Sequence, residues 1–450
     1  MRTEAILYVP SDTPEAMTMA TRKVAGVPMI VRGVMTLAGA GIEKCVLLVA
    51  KTQRPEIERF LTKYKEKDLP QITIIQYEEP YGVGPDIITK VGRKIGDRCL
   101  MINANLIFEK ELVEDIRNHR MDNGDMIICR EGAHPLPVYD ISKYVWMTLE
   151  AFTTLRPRSI ESCLRHMIEA SRTSVVQKRT ALNTFLVTHD RDRAVAEKSL
   201  AEAIRHRIGG PIAKFINKRI SLPISLILSK LWISPNTITA VNIVIGVFSG
   251  VFVADGHRYE VILFGAILFQ IASIVDGCDG EVAKFTFRCS KFGQYADTLC
   301  DNLSLASFLI GIIAGYWRNT HSATAFIVGG ILVFTALITF FWMIRYLKKH
   351  TESASLVTFD TQYLQKLEKQ PSWLLTFIKY GKYTLKKDVF SFMFLMFAIF
   401  GVLYSWLFIA AIGTTTAAII LTYLNVQEML ASSRKKKVMR SDLQSEGQSI

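Results

Sequence analysis

The chain has 450 residues, half of them hydrophobic, with a net charge of +13 and a mean hydropathy of +0.23. That length allows two or three domains, and that hydropathy is high for a soluble protein. The excess positive charge lies beside apolar segments, which favours an anionic membrane surface over nucleic acid as its partner. The seven cysteines have neither paired nor metal-like spacing, so no disulfide framework is expected.

Residues 1–205 read as a soluble α/β domain. The first apolar run, Met1-Arg-Thr-Glu-Ala-Ile-Leu-Tyr-Val, is too short for an export signal and reads as a strand, so this domain is expected to stay in the cytoplasm. Runs at 5–9, 44–49, 72–76, 99–103 and 126–129 are strand-like, and 52–64 and 109–119 are helix-like. Their alternation predicts a layered α/β fold.

Residues 206–233 mix apolar and basic side chains and end near Trp232. This pattern predicts a helix lying in a membrane interface. Ser234-Pro235-Asn236-Thr237 then supplies cap and first-turn residues for a helix. Six apolar segments follow, at 238–254, 261–275, 303–316, 324–344, 389–403 and 406–424. Gly246 and Gly250 form a GxxxG spacing, read as close packing against a neighbouring helix. The 345–388 connection is lysine-rich, and Arg434, Lys435, Lys436, Lys437 and Arg440 follow the last segment. The positive-inside rule puts both regions, and with six crossings both termini, in the cytoplasm. The tail 431–450 is expected to be a basic cytoplasmic extension of the 234–430 membrane domain.

The chemistry concentrates between 276 and 301. Asp276 and Asp279 are three apart, and Asp297 and Asp301 are four apart. Each pair therefore shares one face of a helix. Two such faces brought together make an all-oxygen cage for a hard divalent cation such as Mg²⁺ or Mn²⁺. Ionisable groups bordering a membrane segment are costly, which points to function.

Asp276, Asp279, Gly280, Ala283, Gly293, Asp297 and Asp301 stand at the spacing of the CDP-alcohol phosphotransferase signature. The chain resembles that family over its membrane half. One position departs, with Lys284 where the family has arginine. The resemblance implies a six-helix all-α transmembrane domain in the inner membrane and two metal ions held by the four aspartates. It implies Asp301 as general base, and Gly280, Ala283, Lys284 and Gly293 against a CDP-alcohol. It also implies an alcohol or phospho-alcohol acceptor, membrane lipid as partner, no nucleic acid, and a homodimer.

The stretch from Val24-Ala-Gly26-Val-Pro28 to Gly41 resembles sugar-phosphate nucleotidyltransferases, as does Asp192-Arg-Ala-Val-Ala196-Glu197. This implies a Rossmann-like domain. Its catalytic residues are missing. Pro10-Ser11-Asp12-Thr13-Pro14 replaces the Gly-rich phosphate loop, whose backbone N–H groups prolines cannot supply. Met19 stands for the lysine, Asn105 for one metal aspartate, and Leu186 or Thr188 for the second. Tyr81-Gly82-Val-Gly84-Pro resembles the base-contacting loop but reads more simply as a turn. The fusion resembles bifunctional enzymes that make CDP-inositol and couple it to inositol phosphate, with the first activity lost. The contrasting possibility is a non-enzymatic membrane protein with a cation- or nucleotide-sensing site. Against it, the later spans carry no carboxylate to continue an ion path.

Overall fold

The computed structural model describes residues 4–11, 13–64, 69–78, 85–94, 96–118, 125–131, 134–142, 146, 174–179, 184–206, 212–350, 387–416, 418–423 and 425–426. The chain divides into two compact units. One comprises residues 1–207 with 222–233 and 281–289, and the other comprises 208–221, 234–280 and 290–450.

The first unit is built on a seven-stranded sheet. Its strands are β1 (Glu4–Tyr8), β4 (Lys44–Ala50), β5 (Gln71–Tyr77), β6 (Arg98–Asn103), β8 (Asp125–Glu131), β9 (His134–Ser142) and β10 (Ser174–Arg179). Two short pairs stand apart from it, β2 (Lys23–Val24) with β3 (Val27–Pro28), and β7 (Leu106–Ile107) with β11 (Phe185–Leu186). The sheet order is β10-β8-β9-β6-β1-β4-β5. β1 pairs in parallel with both β4 and β6, and β4 in parallel with β5. β1, β4 and β6 are buried, near-continuous apolar runs, as a parallel sheet covered on both faces requires, while β5, at the sheet edge, is only part-buried. Ala5, Ile6, Leu7, Leu47, Val49, Met101 and Ile102 are fully buried. β9 runs antiparallel between β6 and β8.

The strand and helix expectations hold at nearly every position. The expected helices 52–64 and 109–119 appear as Arg54–Lys63 and Lys110–Arg117. Connections leave β1 and β6 toward opposite sides of the sheet, so the space beyond Tyr8 and Asn103 is the topological switch point where such sheets bind ligands. It holds Pro10 and Asn105. Ala104 N donates to Tyr8 O at 2.8 Å there.

Within this unit, Met29–Gly39 packs on the sheet and carries Arg32, which is 5 % exposed. Its Nη2 donates to Val24 O (2.8 Å) and Phe285 O (2.9 Å). Gly26, at φ +79°, lies against Ser229, where a Cβ would come within 2.2 Å of the Ser229 carbonyl oxygen.

The segment expected to be interfacial is helical, as a π-helical turn Ala213–Asn217 followed by Lys218–Lys230. Ser221, Ser225 and Ser229 face inward, while Phe215, Ile220, Ile224, Ile227 and Leu231 are exposed. The helix thus exposes apolar side chains and carries the basic residues Lys218, Arg219 and Lys230.

Each of the six apolar segments falls mostly on a helix among the described residues, the fifth running past its helix end at Ile399. Pro235–Val253, Tyr259–Thr286, Lys291–Thr320 and Ser405–Tyr423 are long and apolar enough to cross a membrane. Lys387–Ile399 has 13 residues, and the described apolar part of Thr324–His350 is Thr324–Thr339, so both are shorter. Exposed Val241, Val244, Phe248 and Val251 give the first helix an apolar outward face. Much of the lysine-rich connection (351–386) and the basic tail lie outside the described residues.

The first and third helices pack at backbone distance. A Cβ on Gly246 would meet Ser304 Oγ at 2.2 Å, and one on Gly250 would meet Ser307 O at 2.3 Å. A Cβ on Gly311 would meet Gly250 O at 2.2 Å. Ser307 Oγ donates to Val247 O at 3.1 Å. The GxxxG spacing is thus a packing device. Below them Phe269, Phe308 and Phe394 form a buried aromatic cluster, with ring centroids 4.1 Å apart for the first pair and 4.6 Å for Phe308 with Phe394.

Gly250→Leu therefore forces these two helices apart. Insertion into the membrane should persist, but the melting temperature of the purified protein should fall by several degrees, about what a loss of 1–3 kcal/mol brings. An unchanged melting temperature contradicts the packing assignment.

Candidate active site in the membrane unit

Asp276 and Asp279 lie near the C-terminal end of Tyr259–Thr286, and Asp297 and Asp301 in the first turns of Lys291–Thr320. The turn between the two helices is sharp. Phe287 adopts φ +55°, and Arg288 N bonds back to Ala283 O at 2.8 Å. Ser290 then caps the next helix, its Oγ accepting from Gly293 N at 3.0 Å. Both helices thus end and begin with their aspartates close to the same turn.

The structure brings Asp276, Asp297 and Asp301 together, with one carboxylate oxygen from each within 4.8 Å of the others. All three are half-buried. Asp279 is more deeply buried, at 5 % exposure, and is otherwise engaged. Thr239 Oγ1 donates to its Oδ2, and its Oδ1 accepts from Gly280 N at 2.5 Å. Asp279 thus stands beside the group of three, held by the first helix.

Sequence reasoning missed three partners. Lys387, the first residue of its helix, places its ammonium 3.0 Å from Asp276 Oδ1 and also bonds Asp301. Asn242 Nδ2 donates to Asp276 Oδ1 at 3.1 Å. Thr239 holds Asp279. Thr239 and Asn242 are three apart on the helix opened by Pro235-Asn236, so its polar residues carried a usable signal. Lys387 follows a long connection, and nothing in its local sequence marks it.

The remaining predicted residues follow the register of the Tyr259–Thr286 helix. Gly280, Ala283 and Lys284 fall four, seven and eight positions after Asp276, on its face. A Cβ on Gly280 would meet nothing within 4 Å, so open space lies over it. Ala283 is buried and Lys284 exposed. A Cβ on Gly293 would meet Ser290 Oγ at 3.0 Å and Asn236 Oδ1 at 3.3 Å.

The donor set fits a hard divalent cation. All donors are carboxylate oxygens, and one ammonium balances only one of the four charges. That ammonium lies between two of the carboxylates, as a cation would. Uncompensated buried charge of this kind is strongly unfavourable.

At the switch point of the first unit, the nucleotidyltransferase positions hold other chemistry. Thr13 caps the helix Pro14–Met19, and Met19 is buried. Asn105 Nδ2 donates to Ala16 O at 2.5 Å, and Val187 N donates to Asn105 O at 3.0 Å. Thr188 donates to Asp192 Oδ2 through both N (3.0 Å) and Oγ1 (2.9 Å). The two positions expected for metal aspartates are thus adjacent, and neither carries a carboxylate. Tyr81-Gly82-Val-Gly84 lies outside the described residues.

Residues 232–417 match the CDP-alcohol phosphatidyltransferase family. A bifunctional IPC transferase and DIPP synthase of Archaeoglobus fulgidus is 31 % identical over 40 % of this chain and 35 % of its own length. The protein of the same name from Aquifex aeolicus is 24 % identical over 91 % of this chain and 94 % of its own. An archaetidylinositol phosphate synthase of Pyrococcus horikoshii is 33 % identical over 22 % of this chain and 53 % of its own. The chain thus spans about a third of the first relative and nearly all of the second. The region that matches the CDP-alcohol phosphatidyltransferase family is thus the one that holds the gathered aspartates and the helices long and apolar enough to cross a membrane.

Proposed function

We propose that this protein transfers a substituted phosphate from a CDP-alcohol to an acceptor hydroxyl and releases CMP. The observation that carries this reading is the gathering of Asp276, Asp297 and Asp301 at one point, with Asp279 beside them. An acidic cluster at this spacing, in a domain of this family, is what a pyrophosphate-bearing donor requires. Products of inositol-phosphate or phospholipid type fit the relatives' names.

Asp276, Asp279, Asp297 and Asp301 would hold the divalent cations, Mg²⁺ or Mn²⁺ and two in number. When bound, these supply charge neutralisation for the donor's pyrophosphate. The chain's own groups do the rest. The bare backbone at Gly280 lets the nucleotide approach the helix, and Gly293 and Ala283 keep the neighbouring surface small. Lys284 offers a point charge to phosphate without the bidentate fork of arginine. Lys387 and Asn242 orient Asp276, and Lys387 also orients Asp301. Asp301 takes the acceptor hydroxyl proton as that oxygen bonds the β-phosphorus. The bond from phosphorus to the bridging oxygen breaks, and CMP leaves with that oxygen.

The domain divisions are proposed as 1–205 for the nucleotidyltransferase-like part, 206–233 for the interfacial helix, 234–430 for the six-span transferase and 431–450 for the tail. The protein would lie in the inner membrane with both termini cytoplasmic, as a homodimer, with lipid as substrate or surroundings. Residues 1–205 would keep a fold without nucleotidyl transfer, since proline, methionine and asparagine replace the groups that such chemistry needs.

Full-length protein with Mg²⁺ and CDP-inositol or CDP-diacylglycerol should release CMP when a suitable acceptor is present. Asp276→Ala, Asp279→Ala and Asp297→Ala should each abolish that release in folded, membrane-inserted protein. Near-normal turnover in any of them contradicts the ligand assignment.

Asp301→Asn keeps the shape but cannot take the proton. Metal-dependent binding of the CDP-alcohol should persist while turnover drops about 10²–10⁴-fold. Asp276→Asn should weaken binding itself. Equal loss of binding in both would make Asp301 chiefly a ligand.

Supplied with CTP, Mg²⁺ and inositol phosphate, the full-length protein should release no pyrophosphate. Sustained metal-dependent release would show that the first unit is a working cytidylyltransferase.

A further inference from the structure

The first unit carries a cleft of about 820 Å³, lined by residues from four separate parts of the chain. Arg22, Lys23, Arg59, Lys63 and Arg193 line it, and Glu56 is the one carboxylate among the lining residues. None of the residues at the switch point, Pro10 or Asn105, belongs to it.

Arg193 is paired with Asp190 at 3.0 Å. Among the described residues, Arg22, Lys23, Arg59 and Lys63 have no carboxylate within ion-pair reach. The positive charges feel one another. The Lys63 ammonium sits below its ordinary range, lowered first by burial and then by Lys23 and Arg288. Like charges that outnumber their counter-charges in a concave surface repel one another, and an anion joining them relieves that repulsion.

Trp232 forms one wall. The Lys63 ammonium lies 4.1 Å from its ring centroid and the Arg288 guanidinium 3.8 Å. Tyr64 meets it edge-on at 6.0 Å. Trp232 adopts φ +61°, a left-handed conformation that bulky residues rarely take. Such an outlier persists only where its surroundings over-determine it. Here a glycine would make the same turn without strain but would leave no ring to hold the two cations.

The chemistry of the lining narrows the ligand. Arginine forks and lysine point charges together suit phosphate oxygens. The hydroxyls of Thr18 and Thr21 add neutral donors, and Phe60 offers an apolar wall. The volume suits a small molecule or a headgroup rather than a macromolecule. We infer that this cleft binds a phosphate-bearing anion, presented either by a lipid headgroup or by a phosphorylated solute.

The test uses full-length protein in phosphatidylcholine nanodiscs. One arm titrates inorganic phosphate and glycerol 3-phosphate by calorimetry. The other adds phosphatidic acid to the nanodiscs and measures lipid retained by the protein in native mass spectrometry. Wild type should bind saturably in at least one arm, and the arm that responds identifies the source of the phosphate. Arg59→Glu with Lys63→Glu should weaken that binding about tenfold or more, while Lys63→Arg should retain it. Both positions are exposed, and circular dichroism checks that the double variant is folded. Failure of wild type to bind in either arm overturns the inference. So does equal binding by the double charge-reversed variant.

Discussion

Four carboxylates on two consecutive helices carry more negative charge than the single ammonium of Lys387 can balance. The membrane unit is organised around that imbalance. Charge of this density beside an apolar environment is tolerated only where something cationic completes it. The excess defines a seat for hard cations and, with them, for a pyrophosphate. Thr239, Asn242 and Lys387 hold individual carboxylates in place, so the site is arranged before a substrate arrives.

That arrangement depends on backbone contact elsewhere. Thr239 and Asn242 reach Asp279 and Asp276 only because the first helix is fixed within its bundle. Its position is set by Gly246 and Gly250 against Ser304, Ser307 and Gly311, all on the helix that carries Asp297 and Asp301. Without a hydrophobic drive between helices in lipid, close approach of small residues supplies the association. The glycine contacts thus set the first helix against the one that carries Asp297 and Asp301, while Asp276 and Asp279 come from the helix between them in sequence.

The aspartate faces were legible because helical periodicity turns a spacing of three or four into a shared face. The parallel strands were legible because burial on both faces leaves unbroken apolar runs such as Lys44–Ala50. β9 was not, because Pro135 and Pro137 argue against a central strand; Pro135 pairs with Arg130, next to an irregularity in the β8 ladder. Lys387 was invisible because its partners are 86 and 111 residues away in sequence. The engagement of Asp279 by Thr239 was equally hidden, since spacing alone makes the four aspartates look alike. Nor could the left-handed Trp232 be read from a sequence in which tryptophan simply marked a membrane edge.

The central claim is that the gathered aspartates seat a divalent cation that engages the nucleotide donor. Mn²⁺ binding followed by electron paramagnetic resonance, on purified full-length protein with and without CDP-alcohol, tests it most directly. The account predicts saturable Mn²⁺ binding, a change in the bound spectrum when CDP-alcohol is added, and loss of both in a protein with Asp276, Asp297 and Asp301 all replaced by alanine. Undiminished binding in that triple variant, or a bound spectrum indifferent to CDP-alcohol, would contradict it.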